Sequence, residues 1–252
     1  MNMLRKIVVL GMGVLMVLAV QASFAQAVPP QGPPTAPASA PPAAKPEGPR
    51  TIAPYFTQAT SVAKAPDADG FLQRWLLLEP INKPNRTNTV FVDSYVRKNL
   101  DPANFFPDQL NGVPKKGEKV KVGDQELAWH ALDSANFDVK LFRFAYGLNK
   151  QTYGVIFWTV TVVNSPREMK NVRMAVGSNS ASMWWLNGKE AVGLFDDKRM
   201  VMDDVLSKRV TLNKGKNIIR GAVINGPGLS DFCVRFVNEN GEPIKDLTLT
   251  LE

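Results

Sequence analysis

The run "YGVIFWTVTVVN", Tyr153 to Asn164, constrains this chain more than any other stretch. It is β-branched and aromatic almost throughout, which suits a pleated strand better than a helix. It is also too apolar for a sheet edge, so the chain must build a sheet with this strand near its middle. Turn signals then recur about every eight to twelve residues, the spacing expected of sandwiches and barrels. They read "NSPRE", "GSNSA", "NGKE", "NKGKN", "NGPG" and "ENGE".

Other stretches agree. "FLQRWLLLEPI" (Phe71 to Ile81) is an apolar run broken by a proline near its end. "VKVGDQELAWHAL" reads as two short strands around a Gly-Asp turn. In "FDVKLFRFAYG", Phe137, Val139 and Leu141 share one face, and Phe142, Phe144 and Tyr146 the other. That switch predicts a bulged strand, or one covered on both faces. The last strands are "KNIIRGAVIN", "DFCVRFVN" and "LTLTL", and one short helix is expected within residues 89–100. The expected fold class is all-β, a jelly-roll β-sandwich.

The N-terminal quarter is different. Arg5 and Lys6 precede the apolar run Ile7 to Val20, and Ser23 and Ala25 are small residues at the positions a signal peptidase reads. Residues 1–25 are therefore read as a signal peptide, which makes the mature protein secreted or periplasmic, with no membrane span after cleavage. Residues 26–65 begin with a Pro/Ala tract that has almost nothing to bury, and are read as a spacer. Residues 66–252 are the β-sandwich domain. Of the 30 basic residues, 28 lie beyond Arg5 and Lys6 and face 23 acidic ones. They are spread rather than clustered, which argues against nucleic acid as a partner. The single cysteine, Cys233, precludes an internal disulfide and reads as a small packed hydrophobe.

In "VGSNSASMWWLNGKEAV" two tryptophans stand side by side ahead of Asn187-Gly188, a pair suited to a tight type I′ hairpin. Successive strand residues point to opposite faces. Trp184, sharing a face with Leu186, is expected in the core; Trp185, sharing one with Met183 and Asn187, is expected to be the more exposed. Trp75, Trp129 and Trp158 lie in apolar runs and are expected to be core.

Read in order, "VGSNSASMWWLNGKEAV", "LNKGKNIIRGAVIN" and "SDFCVRFVNENGEPI" resemble a galactose-binding-like jelly-roll domain of bacterial exported proteins. "RWLLLEPI" resembles that family's first strand. The arrangement is also similar to the non-catalytic part of chains named acetylxylan esterases. The resemblance implies a carbohydrate-binding module linked to plant-type polysaccharide (xylan) degradation. Related domains often carry Asp-Asp-Gly where this chain has Asn179-Ser180-Ala181. Asn and Ser bring no charge, so no calcium is expected there, and no other cofactor is expected. Asp196, Asp197, Asp203 and Asp204 offer a different candidate calcium site; the favoured reading is two acidic turns balanced by Lys198, Arg199, Lys208 and Arg209.

Sugars present flat C–H faces ringed by hydroxyls, and are held by aromatic faces flanked by amides, cations or carboxylates. The binding candidates for a polysaccharide or oligosaccharide are Trp185 with Asn187 and Lys189, together with Asn225 and Asp231 around the loop "NGPGLSD". Catalysis is the minority reading. No Gly-x-Ser-x-Gly occurs, and the one histidine, His130, has only Asp133 and Ser134 close by in sequence. The alternatives are a structural module docking on a partner enzyme or envelope protein, and an acetylxylan esterase-type carbohydrate esterase.

Overall fold

The computed structural model describes residues 50–105 and 112–252. The signal-peptide reading and the Pro/Ala tract up to residue 49 lie outside the described residues. The strands are β1 (Phe56–Gln58), β2 (Arg74–Leu78), β3 (Ile81–Asn82), β4 (Lys119–Val122), β5 (Gln125–Ser134), β6 (Val155–Ser165) and β7 (Met169–Asn179). They continue as β8 (Ala181–Leu186), β9 (Lys189–Leu194), β10 (Val205–Leu206), β11 (Val210–Leu212), β12 (Gly215–Asn225), β13 (Asp231–Val237) and β14 (Thr248–Thr250). Two short α-helices, α1 (Asp93–Asn99) and α2 (Leu141–Gly147), interrupt them. α1 falls in the expected window.

Ten strands form one antiparallel sheet along the path β1-β5-β2-β6-β12-β8-β9, with β3 and β14 also on β6 and β4 on β5. The other sheet has four strands, β7 carrying β13 on one side and β10 and β11 along the other. The apolar run from Tyr153 to Asn164 supplies β6, and it is central: β12 pairs with it from Gly215↔Ser165 to Asn225↔Val155. The fold is an all-β sandwich.

Between the sheets, Trp75, Leu77, Trp184, Leu186 and Val223 meet Val172, Met174, Val176, Phe232 and Phe236. Trp184 and Trp75 both pack on Phe232, at 5.0 Å between ring centroids. Trp184 Nε1 donates to Ser182 Oγ at 2.9 Å, and Ser178 Oγ donates to the Ser180 carbonyl at 2.7 Å. The Ser178 and Ser182 hydroxyls are 2.8 Å apart. Each hydroxyl has one proton, so Ser182 donates to Ser178 and the relay is fully satisfied. Gly221 is paired with Trp184 across the strands, and a Cβ there would stand 2.3 Å from the indole ring. Glycine is what lets that ring lie flat against β12.

The outer face of the large sheet is covered as well. Leu76, Leu78, Trp129, Trp158, Met183, Trp185 and Ile224 form a second cluster beneath Phe91, Val96 and Leu100 of the α1 region. Trp185 is therefore buried, at 6% exposure, and stacks on Trp158 at 5.6 Å and 25°. This corrects the expectation that Trp185 is the exposed member of the pair. The strand does send its tryptophans to opposite faces, but both faces are inside. Trp75, Trp129 and Trp158 are core, as expected.

Two further expectations change. "LFRFAYG" is helix α2, not a bulged strand. Leu141, Phe144 and Ala145 are its buried residues, at helical spacing, and Phe142 stacks on Tyr146 one turn on. The folded unit also starts upstream of residue 66. β1 pairs with β5, and Phe56 packs edge-on against Phe144.

Candidate functional site

The five residues expected to bind sugar fall into two groups. Asn187 and Lys189 belong to the β8–β9 hairpin, whose turn has Asn187 at φ 49° and Gly188 at φ 76°. Asn187 Oδ1 accepts from the Ile218 amide at 2.8 Å, and Asn187 Nδ2 donates to Asn217 Oδ1 at 2.9 Å. The amide is thus consumed in knitting the turn to β12. Lys189 is exposed and lines a cleft with Asn187 and Glu190. Asn225 lies seven residues beyond Ile218 on the same strand, about 23 Å away at the rise of an extended chain. The structure does not bring the two groups into one site, and Trp185 lies under the second layer, apart from solvent.

At the Asn225 end the sequence-chosen residues act as posts. Asn225 is fully buried, and its Nδ2 donates to the Gly228 carbonyl at 3.1 Å and the Thr152 carbonyl at 3.4 Å. Asp231, paired in register with Asn179, sends Oδ2 to Lys140 Nζ at 3.0 Å. Burial pushes the Asp231 carboxyl above its ordinary value in spite of Lys140. Burial would lower the Lys140 ammonium, but hydrogen bonds to Asp138 and Asp231 outweigh it and hold it raised. The Ser180 and Ser230 hydroxyls are buried without a protein partner among the described residues, the kind of group that ordered water serves.

What these posts hold up is a surface. Beside the loop "GPGL", Asn85, Arg86, Tyr153, Pro227 and Gly228 line a cleft of about 300 Å³. The Tyr153 ring is 47% exposed, and Leu229 is exposed on the same loop. The residue after Tyr153 is tied down through both of its backbone groups. The Gly154 amide donates to the Gly226 carbonyl at 3.3 Å, and the Lys83 amide to the Gly154 carbonyl at 2.7 Å. Asn85 is fixed by Tyr95, whose hydroxyl donates to Oδ1 at 2.7 Å. Gly226 allows the close approach of Asn88, since a Cβ there would lie 2.5 Å from Asn88 Oδ1. Phe142 of α2 packs on Tyr153 at 5.6 Å. The sequence pointed to the loop but missed Tyr153. The available signal was the opening of the β6 run, where an exposed tyrosine precedes the first buried residue, Gly154.

Other ionisable groups that catalysis or metal binding would draw on are engaged within the fold. His130 Nε2 is 3.3 Å from Glu79 Oε1, and its ring sits edge-on to Phe144. Burial alone would raise the Glu79 carboxyl, but hydrogen bonds from Lys150 and His130 outweigh it and hold it below the usual carboxylate value. Asp133 makes a bidentate pair with Arg74 at 2.9 Å, and Ser134 Oγ donates to the Asn136 carbonyl at 3.0 Å. Asp203 pairs with Arg235, Asp204 with Lys198 at 3.1 Å, and Asp197 accepts from Asn88 at 2.7 Å. Among the described residues no three carboxylate, imidazole or thiol groups gather to hold a metal. Burial pushes the Cys233 thiol up to about 12.

Fold and site together define an all-β sandwich with a shallow aromatic cleft at a loop end. No family model matches the sequence, and no curated protein matches it. Among solved structures the chain is similar to a PA14 sugar-binding domain from an RTX adhesin, at 10% identity and a TM-score of 0.43, covering 70% of this chain and 96% of that one. It is similar also to the PA14 domain of the MpAFP antifreeze protein, at 11% identity and a TM-score of 0.39, covering 77% and 96%. A third is the epithelial adhesin 9 A domain of Candida glabrata, solved with Galβ1-4GlcNAc, at 10% identity and a TM-score of 0.35, covering 79% and 97%. Likeness at this level carries no information on ligand or site.

Proposed function

We propose that this chain is an exported, non-catalytic carbohydrate-binding module, secreted or periplasmic, that serves plant-type polysaccharide (xylan) degradation. The observation that supports it most is Tyr153. A tyrosine nearly half exposed, followed by a glycine whose amide and carbonyl are both hydrogen-bonded, borders a cleft with the Arg86 guanidinium on its rim. That is the chemistry a pyranose ring needs: a face to stack on and polar groups for its edge. Asn225 and Asp231 serve this reading as supports of the loop rather than as contacts. Calcium has no part in it, because a divalent cation at Asp231 would face the Lys140 ammonium already bonded to that carboxylate.

Isothermal titration of the full chain with soluble xylo- and galacto-oligosaccharides tests the reading. Tyr153→Ala should weaken binding about fivefold or more at an unchanged melting temperature, since a lost stacking contact is worth roughly 1 kcal/mol or more. A wild-type protein that binds none of them, or a variant that binds as well as wild type, refutes it. The second reading, a module docking on a partner enzyme or envelope protein, draws on Val201, Met202 and Leu206, which are exposed together before and on β10. Acetyl release from acetylated xylan that vanishes in His130→Ala would instead establish the esterase.

A further inference from the structure

We propose that the Tyr153 cleft selects acidic sugars, holding a uronate carboxylate on Arg86. The proposal rests on the carbohydrate-binding reading above and names the ligand class of the same site. Arginine presents a planar fork of donors matched to a carboxylate. Five arginines of this protein are used that way: Arg74, Arg97, Arg167, Arg209 and Arg235 each hold a carboxylate of the chain. Arg86 does not. It is exposed, it lines the cleft, and it makes no ion pair or hydrogen bond among the described residues.

Its surroundings leave the guanidinium to a ligand. Asn85, the adjoining rim residue, is occupied by Tyr95 and by the Lys83 carbonyl. The carboxylate tied to this loop, Asp197, accepts from Asn88, whose amide also reaches the Pro227 carbonyl at 3.3 Å. The other lining groups are the Tyr153 ring and the Pro227-Gly228 segment, which bring no charge. A neutral sugar would use the ring and leave the cation in water. A uronate uses both, its ring face on Tyr153 and its carboxylate on Arg86. The chain beyond Arg5 and Lys6 favours such a ligand at long range, its 28 basic residues exceeding its 23 acidic ones by five.

The test compares one glucuronate-substituted xylo-oligosaccharide with the same compound after chemical reduction of its carboxyl group, titrated into the full chain. Wild type should bind the acidic form about tenfold more tightly at low ionic strength, and the preference should fade in high salt. Arg86→Gln should bind both forms as wild type binds the reduced one, while Tyr153→Ala should weaken the binding of both. If wild type binds the two forms alike, or Arg86→Gln keeps the preference, the acidic-sugar proposal is overturned and the carbohydrate-binding reading stands. If wild type binds neither, both fall.

Discussion

Trp185→Ala measures whether the outer face of the large sheet is a true second core. The ring is 6% exposed, stacks on Trp158 at 5.6 Å, and lies in one apolar cluster with Met183, Phe91 and the α1 residue Val96. Truncating a buried tryptophan removes its transfer free energy and leaves a cavity, together about 3–5 kcal/mol. For a domain of roughly 200 residues each kcal/mol shifts the melting temperature by about 2–4 °C, so the loss should fall between roughly 6 and 20 °C. Trp184→Ala should cost at least as much, because it also leaves Ser182 Oγ without its indole donor. Urea unfolding followed by far-ultraviolet circular dichroism gives both values, with the slope checked to show that the denatured state is unaltered. A loss below about 1 kcal/mol for Trp185→Ala at unchanged slope would refute the second core. It would return that tryptophan to the surface.

Three more outcomes are expected. Gly221→Ala drives a Cβ to 2.3 Å from the Trp184 ring and should cost about 1–3 kcal/mol, read in the same urea assay; an unchanged midpoint would mean the ring can move aside. The Glu79 carboxyl is held below its ordinary 4.5 in the folded state, so the stability it brings is present above that value and lost as pH falls through the lower one. The gap between wild type and Glu79→Gln should accordingly be constant near neutrality and shrink in acid; a gap independent of pH would show that Lys150 and His130 do not hold the carboxylate. Cys233, buried with its thiol pushed up to about 12, should ignore an aromatic disulfide reagent at pH 8 until denaturant is added. Release of one thiol equivalent from the native protein would contradict that burial.

The strands were legible because their signals are local. The β4–β5 and β8–β9 hairpins announce themselves at Gly123, Asn187 and Gly188, each with positive φ. The covered outer face was less visible, since its lid comes from residues far back in the chain, Phe91 to Leu100. The hint lay in "ASMWWL", which is buried at every position and so lacks the polar alternation of a half-exposed strand. α2 was misread because Phe142, Phe144 and Tyr146 also fit a period of two. The deciding pairs were Leu141 with Phe144 and Phe142 with Tyr146, spaced three and four apart. The site residues were misjudged for another reason. Asn225 and Asp231 carry the right chemistry, but buried polar groups at a loop base are taken up in holding the loop.

The long β6–β12 pair has a thermodynamic consequence. Phe157, Val163, Ile219 and Val223 belong to the core between the sheets, while Ile156, Trp158, Ala222 and Ile224 belong to the outer one. The two strands are a party wall. Opening either room exposes the reverse of the same backbone, so neither layer has a free energy of unfolding of its own, and the domain melts as a single cooperative unit. Amide protons along Val155–Ser165 and Gly215–Asn225 can then exchange with solvent only when everything on both sides of the wall has come apart.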